Sequence, residues 1–186
     1  MTATDTASLR ERSEYQALDF DYDPGVSKMV LAETVDTLAR GNPTYRQVVE
    51  KELSARDIPA EFLETFGPLG LRNDNLVDAM TAYWISMWTV IHNKPLANAD
   101  QTAAVLAQVM PRIQGSALTK SARKRQMMGE ALVYESTIAL TVYSDAKAGN
   151  QELQLRQMAQ SAKKNSAKRG FKLAKMKLTD QGMQRR

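Results

Sequence analysis

The chain of 186 residues contains no cysteine and one histidine, His92. The first absence removes disulfides, thiolate nucleophiles and cysteine-held metals. The second removes any histidine-rich metal site, and a lone histidine without a serine or cysteine partner is not a catalytic triad. No apolar run approaches the roughly 18 residues that a membrane-crossing helix needs. Period-two alternation over a useful length is missing, as is a short hairpin signal. No internal repeat and no low-complexity segment occurs. The first residues, MTATDTASLRERSEYQALDF, have no apolar core of a signal peptide. They fit either a cytoplasmic protein or the mature form of a periplasmic or secreted one with an added start methionine.

What is present reads as all-α. The apolar fraction of 43% is ordinary globular usage, and the length suits one domain. We expect a single helical-bundle domain of about six or seven helices over residues 26–178. Before it lies an N-terminal arm, 1–25, partly irregular, turned by DYDPG and docked by Leu18, Phe20 and Tyr22. After it, residues 179–186 are expected to fray.

The stretch LGLRNDNLVDAMTAYWISMWTVIHN, 69–93, holds both tryptophans and the histidine. At 100° per residue, Leu76, Val77, Met80, Tyr83, Trp84, Met87, Trp88, Val90 and Ile91 share one half of a helix. Asp78, Thr81, Ser86, Thr89 and His92 take the other, polar half. This predicts a central helix capped by Asn73 or Asp74, with Tyr83, Trp84 and Trp88 as core anchors.

Around it the punctuation predicts further helices. They run over 26–39 with Gly41 as stop, over 43–55 behind the Asn42 cap and Pro43, and over 58–67 behind Asp57. One helix is capped by Asp100, bent or broken at Pro111 and closed by Gly115. A long one runs over 119–148, ended by a left-handed Gly149. The last covers 150–169, with Gly170 after it and Phe171 and Leu173 folding back.

Charge is uneven along the chain. Residues 1–70 carry 7 basic and 13 acidic side chains, 71–149 carry 8 and 6, and 150–186 carry 10 and 2. The chain therefore runs from −6 through +2 to +8.

These residues carry a resemblance. The string GLRNDNLVDAMTAYWISMW, then AAVLAQVM, then QMMGEALVYESTIAL with Glu130, Ala131 and Leu132, then RGFKLAKMKLTDQG, is similar in order and spacing to an uncharacterised family of exported bacterial proteins known only as a domain of unknown function. It covers about residues 26–182. Met183 departs from it, where a phenylalanine is expected. The resemblance implies export and no activity.

Two acids stand out as candidate buried carboxylates. Glu135 falls in the middle of the apolar arc of its helix, and Glu130 on the flank. A buried carboxylate needs a partner or a raised pKa. For Glu135 we expect a donor from Tyr83, Trp84 or Trp88. His92 reads as a cap or a solvated side chain. Lys163, Lys164, Lys168, Arg169 and Lys172 form a basic face able to contact anions, or simply a solvated one. SARKR, 121–125, sets cations at a helix start and calls for an acidic neighbour.

No catalytic, cofactor or metal constellation emerges. The leading expectation is a non-enzymatic exported module acting by protein–protein contact. The alternatives are a binder of anionic polymer or membrane through the basic segment, and a hydrolase using Glu135 or Glu130. Nucleic acid is disfavoured, because the basic segment has one aromatic, Phe171, for base stacking.

Overall fold

Three helices begin by the same device: an Asp or Asn cap followed by proline in the first turn, where no amide is needed. The computed structural model describes residues 9–114, 116 and 120–186. Within them α1 is a single turn, Ser13–Gln16. Asp23 accepts the Val26 amide at 3.0 Å and opens α2, Pro24–Ala39. Asn42 accepts the Thr44 and Tyr45 amides at 3.1 Å and opens α3, Pro43–Ser54. Asp57 accepts the Ala60 amide at 3.1 Å and opens α4, Ile58–Phe66.

The Trp-bearing helix is α5, Leu76–His92, followed by α6, Ala99–Ile113, α7, Ala122–Ala148, and α8, Glu152–Lys168. Several caps differ from expectation. Asn75, not Asn73 or Asp74, caps α5, and Asn98 with Gln101 forms a capping box on α6 in place of Asp100. The cap thus falls two residues nearer the apolar run than Asn73 on α5, and two residues farther from it than Asp100 on α6. Pro111 does not break α6, which runs to Ile113. Ser121 caps α7. Asn150, at φ 51°, supplies the left-handed residue expected at Gly149. Gly115 and Thr119 lie outside the described residues.

The larger departure concerns α5 itself. Residues 76–90 are all buried, so the expected polar half faces the interior. Asp78 is 0% exposed and Thr89 2%. The reason is that α5 is covered on every side by α6, α7, α8 and the N-terminal segment, so its polar groups need internal partners. Thr81 donates to the Val77 carbonyl at 2.8 Å, and Asp78 is met from residues far away in sequence. Tyr83, Trp84 and Trp88 are buried as expected.

The N-terminal segment docks closely. Leu18 and Phe20 are buried, and the Phe20 ring lies where a side chain on Gly129 of α7 would be, 2.2 Å from an added Cβ. Tyr22 stays more than a third exposed, its hydroxyl donating to the Asn73 carbonyl at 2.7 Å.

The tail does not fray. Residues after Gly170 fold back through buried Leu173 into a hairpin of β1, Met176–Thr179, and β2, Gly182–Arg185, paired antiparallel with Leu178 opposite Met183. The Trp88 Nε1 donates to the Met176 carbonyl at 3.1 Å. Gln108 of α6 accepts the Met183 amide at 2.8 Å and donates to the Gln181 and Met183 carbonyls. These side chains occupy backbone groups that a bare hairpin leaves to water, which is why four-residue strands persist here.

Candidate functional site: a groove over α7

The stripe Ala131, Glu135, Ile138, Ala139 and Val142 repeats at helical spacing along α7 and forms the bed of a groove of about 730 Å³. One wall is α2, with Val30, Thr34 and Leu38 facing in at intervals of four. The other is α8, with Met158, Ala162 and Asn165 among its lining. Met87 and Val90 of α5 add to the apolar bed. The short 149–151 connection makes α7 and α8 antiparallel neighbours, so the groove follows both.

Glu135 lines this groove, but not with the partner expected. Its carboxylate pairs with Arg169, beyond the end of α8, and its side chain is 36% exposed. The guanidinium lies 5.3 Å from the Tyr83 ring centroid. The sequence-based choice of Tyr83, Trp84 or Trp88 considered one neighbouring helix. Arg169 is 34 positions away and was counted with the exposed cations. Burial pushes the Glu135 carboxyl above its usual range, and Arg169 opposes it. Burial and Glu135 together push the Tyr83 hydroxyl up to about 12. Neither tryptophan lines the groove.

Glu130 points elsewhere. It is 2% exposed and accepts from Ser27 at 2.9 Å and from Gln126. Burial raises its pKa, and those two hydrogen bonds oppose the shift. The two acids thus do not share a pocket. His92 is neither a solvated side chain nor a cap. Its Nε2 meets the Leu173 carbonyl at 3.1 Å, its Nδ1 lies 3.2 Å from Arg186, and its ring packs 5.1 Å from that of Trp88. It pins the tail.

Of the basic face, Lys163, Lys164, Lys168 and Lys172 are exposed and join no ion pair among the described residues, whereas Arg169 is committed to Glu135. In SARKR, Arg125 finds the Asp19 carbonyl at 3.1 Å.

A second polar assembly went unread in the sequence. The string LRNDNLVD, 71–78, clasps the N-terminal segment. Tyr15 donates to Asp78 Oδ2 at 2.6 Å, and the Arg72 amide to the same oxygen at 2.9 Å. The Arg72 guanidinium pairs with Asp19 and lies over the Tyr15 ring. Asn75 donates to the Tyr15 carbonyl at 3.0 Å and to Asp19 at 2.7 Å. Burial raises the Asp78 carboxyl to about 6, against the pull of the Tyr15 hydroxyl and the Arg72 amide. A carboxylate two residues into an apolar run was the available signal. A two-sided helical wheel places it toward solvent.

Among the described residues, no helix is long and apolar enough to cross a membrane, and no group of three His, Asp or Glu side chains is placed to hold a metal ion. The described residues form one mostly all-α domain of eight helices with a small two-strand hairpin. The chain belongs to a family of unknown function, DUF6683, which it matches over residues 1–186. No curated protein and no solved structure matches it.

Proposed function

We propose that the protein is a non-enzymatic binding module that seats an amphipathic helix of a partner protein in the groove between α2 and α8. The groove carries this reading. Its bed along α7, from Ala131 to Val142, spans about 17 Å at 1.5 Å per residue, the length of three helical turns. Apolar side chains line the bottom, while Glu33, Arg40 and Lys168 sit among the lining with charges of both signs. That arrangement suits a helix that buries one face and keeps charged flanks. The groove lining contains no histidine, and its Glu135 is held by Arg169. Export and a bacterial source rest on the sequence resemblance alone. A second reading, contact with an anionic surface, is favoured by the four exposed lysines on and beyond α8 that join no ion pair among the described residues.

The test places a photo-crosslinking residue at Thr37 on the groove wall and, separately, at Lys172. One discrete protein adduct from Thr37, lost when Ile138→Arg and Ser161→Arg fill the groove while the unfolding midpoint holds, supports the proposal. An adduct from Thr37 that survives the filled groove, or adducts from Lys172 alone, would overturn it.

A further inference from the structure

On the opposite flank of α7, between α4, the loop after α5 and the C-terminal half of α7, lies a second cavity of about 310 Å³. Its lining includes Lys94, Lys147, Thr89, Thr137 and Ser144, and no acidic residue. Both lysines are exposed and join no ion pair among the described residues. Lys147 Nζ is held 3.4 Å from the Tyr143 hydroxyl and 5.5 Å from its ring centroid, and that hydroxyl donates to Asn93 at 2.6 Å.

The floor has unspent hydrogen-bonding capacity. Thr137 is 3% exposed, and its Oγ1 has no partner among the described residues. Thr89 reaches the Pro95 carbonyl only at 3.5 Å, the outer limit of a hydrogen bond. Thr141, by contrast, is occupied: it donates to the Thr137 carbonyl at 3.0 Å and accepts from Arg56 at 3.3 Å. Glu61 of α4, four residues before Thr65, is itself paired with Arg56. A buried hydroxyl left without a partner calls for an explanation.

We propose that this cavity binds a small oxyanion, the carboxylate or phosphate group of a small molecule, between the Lys94 and Lys147 ammonium groups. The Thr137 and Thr89 hydroxyls donate from the floor. Hydrogen bonds to an ionised acceptor are about twice as strong as neutral ones, so two hydroxyls and two ammonium groups suffice for a site. The volume lies at the low end of ligand pockets, roughly 300–1,000 Å³, which fits a small acid. Leu96 and Leu140 give its carbon skeleton an apolar wall.

The test titrates the full chain with sodium phosphate and, separately, with sodium succinate, at ionic strength fixed by sodium chloride, and follows threonine methyl and backbone resonances. Saturable shifts at Thr137, Thr89 and Lys94 are expected with at least one of the two. Phosphate alone, or succinate alone, assigns the headgroup. The Lys94→Gln, Lys147→Gln double variant should weaken binding at least tenfold, and the isosteric Thr137→Val severalfold, with the remaining spectrum unchanged. Absence of a saturable shift with both anions, or equal shifts in the double variant, would overturn the site.

Discussion

Residues 9–23 reach α5 at its first turn, where Asp78 and Asn75 meet Tyr15 and Asp19 and two arginines stand close by. Residues 171–186 reach it at its last turns, where Trp88 donates to a carbonyl, His92 meets another, and Phe171 packs on Trp84 with ring centroids 4.7 Å apart. Both ends of the described chain, the one starting at residue 9 and the one ending at residue 186, are therefore fastened to one helix. The first fastening is a charged network built on the buried Asp78 carboxylate, with Arg72 and Asp19 partly open to water. The second is an aromatic surface with single hydrogen bonds to backbone. Charged networks lose much when one member is removed, because the others stay buried and unpaired. Aromatic fastenings lose the area they cover. The difference teaches where pH and where packing should control each end.

The largest effect should come from the aromatic end. Trp88→Ala removes an indole that is 8% exposed and frees the Met176 carbonyl, at a cost of about 3–5 kcal/mol. The denaturant midpoint measures it. Hydrogen exchange at 176–185 should accelerate before that at 9–23. Equal acceleration at both ends would break the comparison, because it would make the two fastenings one cooperative unit.

The charged end is tested through pH. With its carboxyl raised to about 6 from an ordinary 3.8, folded Asp78 binds a proton that the unfolded chain releases. This contribution to stability is gained as pH falls through about 6 and is complete below the ordinary value. At neutral pH the buried anion costs roughly 3 kcal/mol, from 1.36 kcal/mol per pKa unit. Asp78→Asn keeps an acceptor for the Tyr15 hydroxyl and the Arg72 amide but cannot ionise. From about pH 4 to about pH 8 its stability relative to the parent should therefore improve by about that amount. A parallel pH profile in parent and variant would show that the charges of Arg10 and Arg72, both of which pull the Asp78 carboxyl down, hold it at an ordinary value.

How far each end could be read beforehand follows the same division. Asn42, Asp57 and Gly41 act on amides and dihedrals within three residues of themselves, so helix ends there were legible. Glu135 was legible as an acid set among apolar neighbours because Ala131, Ile138 and Ala139 recur on its own helix. Its partner Arg169 was not, because nothing local points past the end of α8. Asp78 was misplaced for a related reason. Its burial depends on Tyr15, 63 positions away, and a helical wheel knows only its own helix. The hairpin was missed because MKLT and GMQR are too short to show alternation. The left-handed Gly182, at φ 88° and pressed against Gln108, was the one clue in DQG.

Gln108→Ala sharpens the view of the second fastening. It leaves the amide of Met183, a buried residue beside α6, without its acceptor, and an unsatisfied group of this kind costs about 1–3 kcal/mol. Exchange at Met183 and Gln184 should rise while the Trp88 environment, read by fluorescence, stays fixed. A simultaneous change in Trp88 fluorescence would mean that the hairpin docks as one rigid piece.

The smallest effect is expected at the groove, and it calibrates the rest. The Glu135 and Arg169 side chains are 36% and 31% exposed, whereas Asp78 is 0% exposed and accepts the Tyr15 hydroxyl and the Arg72 amide, with the Arg72 side chain itself 41% exposed. Water reaches the first pair, so its net contribution should fall in the range of exposed pairs, about 0–1 kcal/mol. Glu135→Gln still accepts from Arg169 and should shift the unfolding midpoint little. Glu135→Leu should cost hardly more, because Arg169 can turn outward while keeping its contact with the Tyr83 ring. The same change at the clasp, Asp78→Leu, leaves the Tyr15 hydroxyl and the Arg72 amide without their acceptor, at about 1–3 kcal/mol for each. Measured side by side at one pH, the two leucine variants ask a single question of two carboxylates. A loss at Glu135 equal to that at Asp78 would mean that the groove is closed to water, and that its ion pair is a fixed part of the core rather than a polar contact open to a guest.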